Sequence, residues 1–284
     1  MKFNIISYNI LMDILSDYKF MNQPKQYLDY KYRTNLLINK FDNIFNYNTI
    51  FCLQEVGSYQ LKILQKYFLN KDFHTIYYGD LAIFFSVKRF QLVKVEMGPL
   101  GDLDKFLPRS NRGKLKKMLK SKNKYYIMVN LKCKESNKDF TISNTHLSAR
   151  KEYDDIKLLQ SYVLLKLLEN EKNAIFLGDL NSVPSSNVID LILNKSNDNK
   201  MGKFKIEKKF ISVYEIGLGL VTTHASNTYT PIFSEMIDYI FVDKNLKFSN
   251  VIKIPNKDTL SNKKFYPDKE ESSDHFMIGC EIEI

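Results

Sequence analysis

Ile175-Phe176-Leu177-Gly178-Asp179-Leu180-Asn181 reads as a buried strand: a short apolar run that ends in a turn and delivers two oxygen-bearing side chains to its carboxyl end. Such strand ends are where open α/β sheets bind ligands. Outward from this stretch, four other strand-like runs also stop on polar groups: Ile5-Ile6-Ser7-Tyr8-Asn9, Ile50-Phe51-Cys52-Leu53-Gln54-Glu55, Phe140-Thr141-Ile142-Ser143-Asn144-Thr145-His146 and Met236-Ile237-Asp238. A last strand opens on Ser273-Asp274-His275. Ligands for a hard cation and groups for acid/base work therefore recur at strand tips along the whole chain.

The polar tips spread from Asn9 to His275, so no half of the 284 residues holds a complete set, and a single domain over 1–284 is expected. A hydrophobic fraction of 44% with 13% aromatics is ample for a core. The net charge of +10 suits a polyanionic or phosphorylated substrate, although solvated lysines alone give the same figure. Cys52, Cys133 and Cys280 are odd in number, widely spaced and set in apolar runs, as reduced core residues of an intracellular protein would be. Met1-Lys2-Phe3 leads straight into a strand pattern without a signal-peptide profile, and no apolar run is long enough to span a bilayer. The expectation is a cytoplasmic protein, with the nucleus as the alternative, and no membrane partner; the residues name no protein partner.

Strands are expected at 2–9, 49–55, 73–78, 81–87, 90–95, 125–133, 139–146, 236–242, 248–254 and 275–284, with helices at 32–45, 59–68, 152–169 and 188–193. Gly79-Asp80 is the turn between two of the strands, and Pro184-Ser185-Ser186-Asn187 is the cap of the last helix. Antiparallel neighbours argue against a purely doubly wound sheet. Residues 194–205 read as a loop. From Lys105 to Lys124 there are nine Lys or Arg and no acid, which describes either a solvated basic face or a contact for a phosphate backbone.

His146 and His275 sit at strand tips beside Asn or Asp, where an imidazole can take a proton from water or, charged, hold a phosphoryl oxygen. Glu55 closes an apolar strand, and since an unpaired buried carboxylate is costly, it is either paired with a cation or exposed at the strand end; Mg²⁺, for which Mn²⁺ is the substitute, prefers such oxygen ligands. Zinc-type cysteine spacing, GxxxxGK[ST], GxGxxG and GxSxG are all missing from the sequence. Metal-assisted attack of water on a phosphate ester uses Glu, Asp, Asn and two His best.

Ser-Tyr-Asn9-Ile-Leu, Leu53-Gln54-Glu55-Val56, Thr145-His146-Leu147, Gly178-Asp179-Leu180-Asn181-Ser182, Ile237-Asp238-Tyr239-Ile240-Phe241 and Ser273-Asp274-His275 resemble, in order, the motif series of the endonuclease/exonuclease/phosphatase superfamily. The resemblance covers nearly the whole chain. It implies a four-layer α/β sandwich, two mixed β-sheets packed face to face and flanked by helices. It also implies Glu55 as the principal Mg²⁺ ligand, with Asn9 and Asp274 completing the metal environment. Asp179 would orient or deprotonate the attacking water, Asn181 would contact phosphate or metal, and His146 would bind the scissile phosphate. Asp238 would orient a histidine, and His275 would act as base or phosphate-stabilising imidazole.

Ala82-Ile83-Phe84-Phe85 and Tyr229-Thr230 look like the deadenylase branch, which includes poly(A) nucleases, nocturnin and 2',5'-phosphodiesterases. Leu131 to Ser136 and Thr145 to Arg150 look closest to nocturnin, and Arg150 falls where those enzymes place an arginine near the 2'-phosphate of NADP(H). Phe233 is similar to an aromatic that poly(A) nucleases stack on adenine. Two departures stand out: only a tight turn joins Tyr78 to Ala82, where nocturnin carries a basic residue, and the stretch 105–124 is long. The resemblance therefore implies a Mg²⁺-dependent phosphodiesterase acting on adenine-containing RNA, a 3'-to-5' poly(A) exoribonuclease ahead of an NADP(H) 2'-phosphatase or a 2',5'-oligoadenylate phosphodiesterase. A non-catalytic RNA-binding scaffold is the alternative of a different class, which the full acidic and His set argues against. For a lipid or inositol phosphatase there is no membrane-docking segment.

Overall fold

A computed structural model describes residues 1–17, 21–228, 232–260 and 265–284. Its strands are β1 (Lys2–Asn9), β2 (Thr49–Gln54), β3 (Phe73–Tyr78), β4 (Leu81–Ser86), β5 (Phe90–Pro99), β6 (Tyr125–Cys133), β7 (Asp139–His146), β8 (Ala174–Asp179), β9 (Ser196–Asn199), β10 (Gly202–Lys205), β11 (Phe210–Ser212), β12 (Thr223–Ala225), β13 (Phe233–Glu235), β14 (Asp238–Asp243), β15 (Lys247–Ser249) and β16 (Ile278–Glu283). The helices are α1 (Lys25–Leu28), α2 (Tyr30–Ile44), α3 (Ser58–Leu69), α4 (Arg112–Lys120), α5 (Asp154–Leu168), α6 (Asn187–Asn194) and α7 (Lys257–Leu260).

Two six-stranded sheets, ordered β15-β16-β1-β2-β4-β3 and β11-β14-β8-β7-β6-β5, form the centre of an α/β sandwich flanked by helices. Each is mixed, with one parallel pair, β1 with β2 and β7 with β8. Strands β2, β4, β8 and β14 are buried at every residue, being covered on both faces, and their polar residues lie at the strand ends. On β1 the alternation divides the core. Phe3 and Ile5 join the cluster that fills the space between the sheets and continues under α4, α5 and α6, whereas Ile6 and Tyr8 pack toward Leu37 and Phe41 of α2 and Leu64 and Phe68 of α3.

Local chemistry starts the helices where the pattern places them. Asp29 caps α2 by accepting from Tyr32 N, Asp154 and Asp155 occupy the first turn of α5, and Ser186 caps α6 by accepting from Ile189 N. All three cysteines are free and buried. Among the described residues no helix is long and apolar enough to cross a membrane.

The structure departs from expectation at short elements. Residues 194–205 are not a loop but the hairpin β9–β10, in which Asn199 Oδ1 accepts from Met201 N. β15 is only Lys247–Ser249, and the last strand starts at Ile278 because residues 272–275 are taken up by polar contacts at the site below. The basic stretch begins at the end of a 3-10 segment, Leu100–Phe106, and its middle forms α4, anchored by Leu115 and Leu119. Tyr229-Thr230 lie outside the described residues.

Gly178 sets the spacing of β7 and β8 at their tips. Its φ is +136°, and a Cβ there would stand 1.9 Å from Thr145 O. Gly178→Ala is therefore expected to cost about 3 kcal/mol or more through strain and forced separation of the strands. Urea unfolding checks this, and a loss below about 1 kcal/mol would show that the strand tips yield freely.

Candidate active site

Register gathers the polar tips. In the first sheet Asn9 lies beside Gln54, so Asn9 and Glu55 leave at one edge. In the second, His146, Asp179 and Asp238 lie side by side on β7, β8 and β14. The two edges meet through Asn9, whose Nδ2 donates to Glu55 Oε1 and to Asp179 Oδ2, both at 3.0 Å. Leu11 N donates to Asn9 Oδ1 and Met12 N to Glu55 Oε2, each at 3.0 Å. Both Glu55 and Leu11 sit at φ +56°, a left-handed backbone that costs a non-glycine residue roughly 1–2 kcal/mol and persists here because these hydrogen bonds fix it.

Two histidines flank Asp179. His146 Nδ1 lies 2.7 Å from Asp80 Oδ2, which leaves its Nε2 3.6 Å from Asp179 Oδ2 and 3.9 Å from Glu55 Oε1. His275 Nδ1 lies 2.9 Å from Asp238 Oδ2 and 3.0 Å from Thr223 Oγ1, and its Nε2 is 3.9 Å from the same Asp179 oxygen. In each pair the carboxylate fixes which nitrogen faces the cleft. Asn181, at φ +48°, donates its backbone N–H to Asp179 Oδ1 at 2.8 Å. Its carbonyl accepts from the buried Lys157 Nζ at 2.6 Å, and its side chain donates to Leu147 O at 3.0 Å.

The charges are strongly coupled. Burial pulls the His146 pKa down and Lys124 adds to that, but the Asp80 hydrogen bond and the charges of Asp179 and Asp80 outweigh both, for a net rise from 6.5. His275, equally penalised by burial, is raised well above 6.5 by Asp238, Asp274 and Asp179. Burial would raise Asp80, yet its partner His146 and Lys124 bring it below 3.8. Burial, with Glu55, raises Asp274 to about 6 against the pull of His275 and Arg33.

Among the described residues two groups bring three ligand atoms within 4.8 Å of one another: Glu55, His146 and Asp179, and Asp179, Asp238 and His275. Carboxylate oxygens and imidazole nitrogens without a thiolate suit a hard or borderline divalent cation. Asp238 Oδ1 is also buried without a hydrogen-bond partner. The donor set therefore fits a metal ion. Asn9 reaches this environment as a donor to both carboxylates, its own oxygen being taken by Leu11. Asp274 lies in neither group; Ser273 Oγ is 3.4 Å from its Oδ1, and its carbonyl accepts from His224 N.

Arg150, at φ +69° and 72% exposed in its side chain, stands 3.7 Å from Glu152 on the loop after His146. Phe233 is half-buried on β13, opposite Ala225 of the strand whose Thr223 touches His275. Asp80, Thr223, Lys157 and Arg33 escaped the sequence reading. Asp80 looks like an ordinary turn residue, and the only available signal was an acid beside the Gly of a two-residue turn. Arg33 is 1% exposed on α2 and donates to Ile10 O and Ser272 O, tying both site loops together.

The chain matches the Endonuclease/Exonuclease/phosphatase family over residues 6–275. The CCR4-Not complex 3'-5'-exoribonuclease subunit Ccr4 of Mycosarcoma maydis is 23% identical over 99% of this chain and 50% of its own length. Carbon catabolite repressor protein 4 homolog 4 of Arabidopsis thaliana is 25% identical over 100% and 78%, and 2',5'-phosphodiesterase 12 of Homo sapiens 25% over 98% and 51%. The chain thus spans about half the length of the first and third of these relatives. Among solved structures, that of ANGEL2, a 2',3'-cyclic phosphatase, in complex with adenosine-2',3'-vanadate has a TM-score of 0.83 at 19% identity, covering 99% of this chain and 95% of that one. The human Nocturnin catalytic domain with bound sulfate has 0.70 at 20%, covering 99% and 93%. At such identities these two share the fold.

The His275 shift makes a stability prediction. Its folded pKa is raised, so the Asp238–His275 pair contributes fully below pH 6.5 and fades as pH rises through the folded value. In metal-free protein Asp238→Asn should therefore cost about 3 kcal/mol near pH 5.5 and less near pH 9 by urea unfolding. A gap that widens with pH would contradict the charged pair.

Proposed function

The chain belongs to the endonuclease/exonuclease/phosphatase family, and from that premise we propose that it is a Mg²⁺-dependent phosphodiesterase that shortens adenine-containing RNA from its 3' end. The observation that carries this reading is the convergence of Glu55, His146 and Asp179 from two sheets on one cleft. The exoribonuclease relatives and the net charge of +10 favour a polymeric phosphodiester over a small ester.

Glu55 and Asp179 would hold the divalent cation, which when bound supplies positive charge to the phosphate being attacked. Asp179 aims water at phosphorus: its Oδ1 is fixed by Asn181 N, while Oδ2 faces both imidazoles. His275 and His146, each favoured in its protonated form by its own acid, Asp238 or Asp80, donate from Nε2 to oxygens on which charge develops. Asn181 and Asp274 line the same cleft as phosphate and metal-environment contacts. Phe233 would stack on adenine, and Arg150 would meet the 2'-phosphate in the dinucleotide alternative.

A 2',5'-linked oligoadenylate is the second reading, because human 2',5'-phosphodiesterase 12 matches 98% of this chain and the bond-breaking step is the same. Turnover of 3'-oligo(A), a non-A RNA, 2',5'-oligoadenylate and NADPH with Mg²⁺, side by side, separates the substrates. Selective shortening of 3'-oligo(A) is expected, reduced about 10³-fold by Glu55→Gln with the fold intact. Full activity of Glu55→Gln, or activity undiminished by EDTA, would sink the metal mechanism; phosphate release from NADPH alone would move the substrate to a dinucleotide.

A further inference from the structure

The segment after Asn9 and the helix after Glu55 meet at one rim of the cleft. Met12 N donates to Glu55 Oε2 at 3.0 Å, Gln60 Nε2 donates to Leu11 O at 3.4 Å, and the loop lies so close on Gly57 that a Cβ there would stand 2.4 Å from Asp13 Oδ1. The Asp13 carboxylate thus sits at the N-terminus of α3, where the helix dipole favours it. Held in this way, the 3-10 turn Asp13–Leu15 turns two aliphatic side chains to solvent: Ile14 is 72% and Leu15 49% exposed.

Two residues past Gly57 comes Tyr59, 57% exposed in the first turn of α3. It follows Glu55 by four positions, so the two Cα atoms are at most about 14 Å apart. Its ring centroid is 5.5 Å from that of Tyr30, with 32° between the ring planes, a contact that orders the phenol on one side and leaves the rest open. Tyr59, Lys62, Ile63 and Lys66 follow one another at helical spacing along α3, and all four are exposed. α3 contains no acid, and neither Lys62 nor Lys66 has an ion-pair partner among the described residues. Lys31 Nζ adds a cation 6.0 Å from the centroid of the Tyr30 ring. Two nearby acids are engaged at helix starts, Asp13 against Gly57 and Asp29 as the cap of α2.

Exposed apolar side chains grouped at the mouth of a hydrolytic cleft mark a surface that a ligand covers. Ile14 and Leu15 alone would suit an apolar protein segment. A phenol held in place and followed by unpaired cations on an acid-free helix instead matches the flat bases and the phosphates of a single strand. We propose that Tyr59, with Ile14 and Leu15, is a stacking platform for a base of single-stranded RNA beyond the nucleotide that reacts, and that Lys62 and Lys66 take phosphates of the strand as it runs along α3. The choice of RNA as the strand rests on the function proposed above; the surface rests on the exposure of these side chains and on the contacts that fix them beside Glu55.

Equilibrium binding of fluorescent hexa-adenylate in EDTA, read by anisotropy, tests this without turnover. Tyr59→Ala should weaken binding about tenfold, the loss of one base–aromatic stack, and Tyr59→Phe should stay within about twofold, because the stack needs the ring and not the hydroxyl. Tyr47→Ala, at an exposed tyrosine by the opposite end of β2, should also stay within about twofold. Lys62→Met combined with Lys66→Met should make the log–log salt slope shallower by about 1.4, the value for two phosphate contacts on a single strand. A Tyr59→Ala loss no larger than that of Tyr47→Ala, or no salt-dependent binding by the unaltered protein, would overturn the platform. Self-association of the protein that Tyr59→Ala abolishes while RNA binding persists would overturn it too, in favour of a second copy on this surface. Hexa-adenylate bound through Tyr59 but not hydrolysed in Mg²⁺ would instead count against the exoribonuclease reading and leave the platform standing.

Discussion

The amide of Asn9 holds the site together. One nitrogen donates to Glu55 from the first sheet and to Asp179 from the second, both at 3.0 Å. Two buried carboxylates this close repel each other, and a neutral amide only partly offsets that repulsion. The Ser273 hydroxyl on the Asn9 carbonyl at 2.8 Å and the buried Arg33 under both loops hold this arrangement in place against the strain at Glu55 and Leu11. A divalent cation relieves the repulsion directly, which is the physical reason to expect one here.

Asp179 Oδ2 is the point where the surroundings converge. Asn9 Nδ2, His146 Nε2 and His275 Nε2 approach it at 3.0, 3.6 and 3.9 Å. Each imidazole is backed by its own acid, Asp80 or Asp238, so the two histidines face the cleft from opposite sides with their far nitrogens occupied.

The long elements were legible because one physical signal sufficed for each. Runs such as Ile50-Phe51-Cys52-Leu53 belong only in a strand covered on both faces, and the polar residue that ends each run marks the sheet edge. β6 and β7 lie at the residues expected, Tyr125–Cys133 and Asp139–His146. Which polar tips meet is set by pairing: parallel β7 with β8 puts His146 beside Asp179. Illegible were features set by partners far along the chain. β12 and β13 are three residues each and exist through their pairing, and Asp80 matters only because the β3–β4 turn places it against His146.

The most direct test of a centre shared between the two sheets is Mn²⁺ binding to the whole protein, followed by electron paramagnetic resonance, with Glu55→Gln and Asp179→Asn for comparison. Each substitution, in a different sheet, should weaken the same site by about tenfold or more. Binding unchanged in both variants would show that the cation is not held between Glu55 and Asp179.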